Sequence, residues 1–131
     1  DFRPLLEKMD GKVYVVNFWA TWCAQCIKEL PYFEQLNAQY DDKKVDFTLV
    51  SLDFAKEYDK KVKPFVAKKA LKSRVVQLAD PSTNDWIDRV SKEWSGSIPA
   101  TMVYRNDRYE FYEKEFHSKE ELNTIISSFL K

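Results

Sequence analysis

Trp19-Ala20-Thr21-Trp22-Cys23-Ala24-Gln25-Cys26 holds both cysteines of the 131-residue chain. An apolar run, Val13 to Phe18, leads into it, and a helical pattern, Ile27 to Tyr40, leads out. The stretch therefore reads as a buried strand that delivers a Cys-x-x-Cys pair to a helix N-terminus. The first turn of a helix carries unpaired N–H groups and the positive end of the peptide dipole. A thiolate placed there is stabilised, so its pKa falls. On this reading Cys23 is the exposed nucleophile, and Cys26, about one turn further in, is the more buried thiol that resolves a mixed disulfide. Two other readings share the spacing. A zinc half-site needs two further ligands, and the chain's one histidine, His117, lies near the far end. A structural disulfide, or two inert thiols, is the other.

Composition narrows the field. A chain of 131 residues has room for one domain and for a sizeable core, and 44% of its residues are hydrophobic. Lys and Arg number 21 and Asp and Glu number 21, which argues against a nucleic-acid binder, since that needs a basic excess. No apolar stretch approaches the ~20 residues of a membrane span. Asp1 follows no apolar signal region, and the start at Asp1-Phe2 without Met reads as a mature or trimmed chain. With two glycines in the chain, turns that need positive φ are expected to lean on Asn and Asp.

Taken in order, the first ten residues are a lead-in with a helical turn at Pro4-Leu5-Leu6, and Asp10-Gly11 is a turn. Lys12 to Phe18 reads as a strand buried on both faces. A helix follows from about Cys23 to Gln39, with Ile27, Leu30, Phe33, Leu36 and Tyr40 as its apolar stripe and a kink expected at Pro31. Val45 to Leu52 is a second strand, parallel to the first through a right-handed crossover. A lysine-rich helix is expected from about Tyr58 to Lys72, then a short strand from Arg74 to Leu78. Its lysines, Lys60, Lys61, Lys63, Lys68, Lys69 and Lys72, read as a solvated face, or as a docking surface for an acidic partner. After a turn at Asp80-Pro81-Ser82, Asn84 to Trp94 reads as a helix with Trp86, Val90 and Trp94 inward. Ala100 to Tyr104 and Tyr109 to Phe116 form a hairpin about Asn106-Asp107. Ser118-Lys119-Glu120-Glu121 is a capping box opening a last helix with Leu122, Ile125, Ile126 and Phe129 inward.

Asn17-Phe18-Trp19-Ala20-Thr21-Trp22-Cys23-Ala24-Gln25-Cys26-Ile27-Lys28-Glu29-Leu30-Pro31 resembles the active-site run of thioredoxin-fold proteins. More narrowly it resembles the extracytoplasmic thiol-disulfide oxidoreductases of the TlpA/ResA type, whose run reads N-F-W-x-x-W-C-x-x-C-x-x-E-x-P. Ser97-Ile98-Pro99-Ala100-Thr101 resembles the loop whose proline is cis and sits against the active-site cysteines. The resemblance implies an α/β thioredoxin fold over nearly the whole chain: a central mixed sheet flanked by helices, with a helix-strand insertion at about residues 53–78. It implies dithiol–disulfide exchange through Cys23 and Cys26, with no cofactor beyond the two sulfurs. The Ile98 backbone would pair with an extended substrate segment beside Pro99. Trp22 would be a partly exposed lid and Trp19 packing beneath the site. Asn17 stands where thioredoxin itself has a buried Asp that accepts the proton of the second cysteine. Asn cannot take a proton, so Asp53 and Glu29 become candidates for that task. Glu29 also has a plainer role open to it, as a dipole complement near a helix start.

The reading is then a thiol-disulfide oxidoreductase, a monomer that reduces extracytoplasmic protein disulfides. It would face the bacterial periplasm, be anchored through a missing N-terminal segment, and be recharged by a membrane thiol donor. The alternative is a non-catalytic module that holds Cu(I) or a partner through Cys23 and Cys26, with Met102, just after the proline loop, as a further soft ligand. The threonine–cysteine run of a peroxiredoxin-type peroxidase is not seen.

Overall fold

A computed structural model describes residues 7–77 and 91–131. Its frame is a five-stranded sheet in the order β3-β2-β1-β4-β5. The strands are β1 (Val13–Trp19), β2 (Val45–Ser51), β3 (Arg74–Gln77), β4 (Ala100–Arg105) and β5 (Arg108–Tyr112). The helices are α1 (Ala24–Gln39), α2 (Lys63–Lys69) and α3 (Lys119–Leu130). β1 is central and buried at every residue, as its largely apolar run, interrupted at Asn17, leads one to expect. It pairs parallel with β2, Val13 opposite Val45 and Trp19 opposite Ser51. On its other side it pairs antiparallel with β4, Val16 opposite Met102 and Asn17 opposite Thr101. β2 and β3 are parallel, and β4 and β5 form an antiparallel hairpin. This is the mixed sheet of a thioredoxin-like fold.

Alternation along β1 sorts the core into two faces. Tyr14, Val16 and Phe18 point to one face, where they meet Trp94, Met102 and Tyr104. Val13 and Val15 point to the other, where Phe33 and Leu36 of α1, Phe116, and Leu122, Ile126 and Phe129 of α3 cover the sheet. Trp19 and Leu49 continue that second face under Cys23, Cys26, Leu30, Val62 and Phe65. The helices α1 and α2 thus lie on the same face, as two successive right-handed crossovers stepping outward from β1 demand.

Several details differ from the sequence expectations. The buried stripe of α1 is Cys26, Glu29, Leu30, Phe33 and Leu36, and Ile27 sits at the surface edge. The expected helix from Tyr58 to Lys72 is broken into a 3-10 turn (Ala55–Glu57), a π turn (Tyr58–Val62) and α2, which Pro64 opens. Proline lacks the N–H that an interior position would donate, so it belongs in a first turn. The helix closes at Ala70, which takes left-handed φ of 52°, a conformation expected of Asn or Gly; Asn106 at 53° fills the hairpin turn in the expected way. Lys60, Lys61, Lys63, Lys68, Lys69 and Lys72 are all exposed. Ser91–Trp94 is a turn rather than helix, while Trp94 is buried against Phe18 and Phe111. β5 stops at Tyr112, four residues early, and Phe116 folds into the core instead. In the capping box, Ser118 Oγ accepts from Glu121 N at 3.1 Å, but the Glu121 carboxylate reaches one residue further back, to His117 N at 2.9 Å. The expected turns at Pro4-Leu5-Leu6 and Asp80-Pro81-Ser82, the end of β3 at Leu78, and the Trp86 and Val90 positions fall outside the described residues.

Candidate active site

β1 ends at Trp19, and the chain turns sharply, with Cys23 N donating to Ala20 O at 3.1 Å. Cys23 is the N-cap of α1: its Sγ accepts the Cys26 N–H at 3.3 Å, and its carbonyl accepts Ile27 N. The two cysteines are joined as a disulfide, with Cα atoms 5.3 Å apart. Cys26 is fully buried, whereas Cys23 keeps 5% exposure. A sulfur in the N-cap position takes the place of the usual Ser or Asp oxygen and lies at the positive end of the helix. Exchange of Cys23 with an incoming sulfur is the chemistry this arrangement supports.

Two buried acids stand behind the pair, and they are held differently. Asp53 follows β2 and is 1% exposed. It accepts from Thr21 N at 3.0 Å, from the Thr21 hydroxyl at 2.5 Å and from Ser51 Oγ at 2.8 Å. The Gln77 amide donates to its backbone carbonyl, tying in the end of β3. Asp53 therefore clamps the Trp19–Cys23 turn onto the end of β2, a junction also spanned by Leu52 N donating to Trp19 O at 2.7 Å. Its hydrogen bonds go to Thr21 and Ser51, and none goes to a cysteine.

Glu29 is fully buried. It lies three residues after Cys26 on the buried side of α1, which places the two side chains as neighbours on one face. One carboxylate oxygen accepts from Asn17 Nδ2 at 3.0 Å and the other from Phe116 N at 2.9 Å. Burial pushes its pKa up to about 7, against the downward pull of those two donors. Asn17 is held in turn by Ala100 O at 3.3 Å and Thr101 Oγ1 at 3.1 Å, so β1 and β4 fix the amide that faces the acid.

The remaining predicted residues divide. Ile98 packs against the cluster that contains Cys23 and Cys26, and the Ile98–Pro99 peptide is cis. Trp22 is 66% exposed next to Cys23, and Trp19 is fully buried among the residues beneath the sulfurs. His117 is exposed on the approach to α3. Met102 is buried with Phe18 and Trp94 on the opposite face of the sheet from the cysteine cluster, so it does not join them in a ligand set. Among the described residues no group of three or more His, Cys, Asp or Glu converges on one point.

Thr21, Ser51 and Phe54 escaped the sequence reading. Thr21 stands next to Trp22, and a hydroxyl there had a buried Asp to answer. Phe54 is 54% exposed immediately after the Asp53 clamp. An aromatic that breaks the apolar pattern at a strand end was the only signal for it.

The Redoxin family profile matches residues 5–116 of the chain. The thiol-disulfide oxidoreductase ResA of Oceanobacillus iheyensis is 44% identical over 62 residues, covering 41% of this chain and 32% of that protein. The thioredoxin-like protein YneN of Bacillus subtilis is 37% identical over 65 residues, covering 48% of this chain and 36% of that protein. The chain thus aligns with about a third of the length of these curated relatives. Among solved structures, a thioredoxin-related protein of Neisseria meningitidis superposes with a TM-score of 0.78 at 18% identity, over 94% of this chain and 88% of that one. A secreted Mycobacterium tuberculosis disulfide oxidoreductase homologous to E. coli DsbE does so with a TM-score of 0.70 at 25% identity, over 92% and 84%. The sheet order, the N-capping cysteine and a family match over most of its length agree: this chain has a thioredoxin-like fold and belongs to the Redoxin family.

Proposed function

We propose that the chain is a thiol-disulfide oxidoreductase that exchanges Cys23–Cys26 with disulfides of other proteins. The observation that carries this reading is Cys23 at the N-cap of α1, its sulfur accepting a backbone N–H and keeping the little exposure the pair has. In the reduced protein the Cys23 thiolate attacks one sulfur of a partner disulfide. That S–S bond breaks, and the partner's other sulfur leaves as a thiolate that takes a proton from solvent. Cys26 loses its proton and attacks Cys23 Sγ of the mixed disulfide. The partner's remaining sulfur departs, the Cys23–Cys26 bond closes, and two electrons have passed to the partner.

Glu29, one turn below Cys26 with a carboxyl poised near neutrality, takes the Cys26 proton in the second step. Asn17 orients Glu29, and Asp53 positions the Cys23 turn through Thr21. Trp22 and the backbone beside Ile98 and Pro99 receive the partner's chain. Residues 53–78 form the insertion characteristic of the TlpA/ResA group, within a single domain spanning 1–131. In this reading the chain is a reductase acting outside the cytoplasm, on the periplasmic side of a bacterial membrane; the secreted Mycobacterium tuberculosis disulfide oxidoreductase supports the extracytoplasmic part. There it works as a monomer, anchored through a preceding segment and recharged by a membrane thiol donor. A copper-holding role loses its support with Met102 on the far face of the sheet.

The test is a pair of variants. Cys23→Ser abolishes reduction of a protein disulfide such as insulin, and Cys26→Ser accumulates a mixed disulfide with the same substrate. The single thiol of Cys26→Ser alkylates at about pH 6 faster than free cysteine, because its pKa is depressed. Equal rates would refute the N-cap argument. Tight Cu(I) binding with no turnover of any disulfide would favour the metal-holding module.

A further inference from the structure

The helices α1 and α2 leave a groove of about 300 Å³ between them, lined by Ile27, Leu30, Pro31, Phe65 and Leu71, with Lys69 at its rim. That volume is at the low end for ligand pockets and suits a side chain better than a cofactor. The lining of the groove starts at Ile27, four residues after Cys23. Ile27, Pro31 and Gln35 recur at four-residue steps along one side of α1, and Cys23 is the N-cap one turn before Ile27. Pro31 lies about 12 Å along the helix from Cys23. An extended chain covers that distance in about three to four residues.

Charge selects the occupant. Residues 53–77 carry seven lysines and one arginine against three carboxylates, a net charge of +5 in a chain that is neutral overall. Two of the three acids are already paired, Glu57 with Lys61 at 3.8 Å and Asp59 with Lys63 at 3.1 Å, and the third is the buried Asp53. Lys68, Lys69 and Lys72 have no ion-pair partner among the described residues. Glu34, the one acid lining the groove, spends its carboxylate on the backbone N–H groups of Lys72 and Ser73, each at 3.1 Å. That contact also stitches the far wall to α1, so the groove stands ready-formed.

We propose that this groove docks a segment of the substrate protein that places an apolar side chain three or four residues from its reactive cysteine, followed by acidic residues. The proposal rests on the oxidoreductase reading and names the substrate feature that the site selects. The apolar side chain enters between Ile27, Pro31 and Phe65, and the acids meet Lys68, Lys69 and Lys72.

The experiment uses the reduced protein, dithiothreitol as donor, and cysteine peptides held as mixed disulfides with thionitrobenzoate, whose release is read by colour. One peptide has a leucine four residues from the cysteine and two aspartates beyond it. Others replace the leucine with serine or the aspartates with lysines, and the order is tested on both sides of the cysteine. The leucine–aspartate peptide should be turned over with a kcat/KM about tenfold above the others. Gln35→Trp, which fills the groove from an exposed position, and the double variant Lys68→Glu with Lys69→Glu should each lower that preference about tenfold, measured as the ratio of this peptide to the cysteine mixed disulfide alone. Equal turnover of all peptides would overturn the docking proposal and leave the oxidoreductase reading standing. No thionitrobenzoate release from any compound would overturn both. A concentration-dependent dimer that Gln35→Trp dissolves would assign the groove to a second copy of this chain, and so overturn the proposal as well.

Discussion

Glu29 shows how one residue ties the site to the stability of the fold. Its carboxyl is pushed up to about 7 from the ordinary value of 4.5, chiefly by burial. Between those values the folded protein binds a proton that the unfolded chain has released, so stability falls as pH rises through the window. The full penalty, about 3 kcal/mol, is present above pH 7. Asp10, Glu110, Glu113 and Glu121 are held below the usual carboxylate range, each first of all by a side-chain hydrogen bond, and they lose stability only as pH falls. The two windows are separate. Denaturant unfolding at pH 5 and pH 8 should therefore show the Glu29→Gln protein gaining about 2.5 kcal/mol on the wild type as pH rises. A constant difference would mean that Glu29 is ionised throughout. Asp53 makes a contrasting case, because every bond to its carboxylate comes from a donor. Asp53→Asn turns one acceptor into a donor facing those donors. It should cost about 1–3 kcal/mol in the same measurement, by loosening the turn that presents Cys23.

At the scale of elements, the parts legible in the sequence were those whose pattern had one explanation. The run Val13 to Phe18 is apolar but for Asn17, and a central strand buries both faces in that way. Cys-x-x-Cys between that strand and a helical pattern located the site before any contact was known. The phase of α1 was less legible. Ile27, Leu30 and Phe33 fit a helical stripe, yet the buried stripe runs through Cys26 and Glu29. A polar residue in the middle of the true stripe, Glu29, disguised it. The lysine-rich stretch misled for another reason. Its residues all favour helix, while Pro64 and the 3-10 and π turns divide it, and propensity cannot locate such breaks. The end of α2 offers a test of strain. Ala70 closes the helix at φ 52°, where its Cβ meets the following carbonyl, a cost of about 1–2 kcal/mol. Ala70→Gly relieves that strain but adds freedom to the unfolded chain. The net expectation is a gain of up to about 1 kcal/mol, seen as a rise of a few degrees in Tm.

Over the whole molecule, charge is arranged more unevenly than the neutral total suggests. With +5 in residues 53–77, the rest of the chain carries the balancing negative charge. That basic segment holds the edge strand β3 and the helix α2, and α2 lies on the same side of the sheet as α1 and the dithiol. A molecule polarised in this way orients an approaching acidic protein before contact, and such steering acts on the association rate. Exchange itself needs only two sulfurs and a mobile proton, so a small neutral disulfide feels little of the field. Raising the ionic strength from about 50 to 500 mM shortens the Debye length to a few ångströms and removes most of the long-range attraction. The kcat/KM for an acidic protein disulfide should then fall about tenfold while that for a small neutral disulfide changes little. A parallel fall for both would place the salt effect at the dithiol itself. No fall for either would mean that the lysines are only a solvated face.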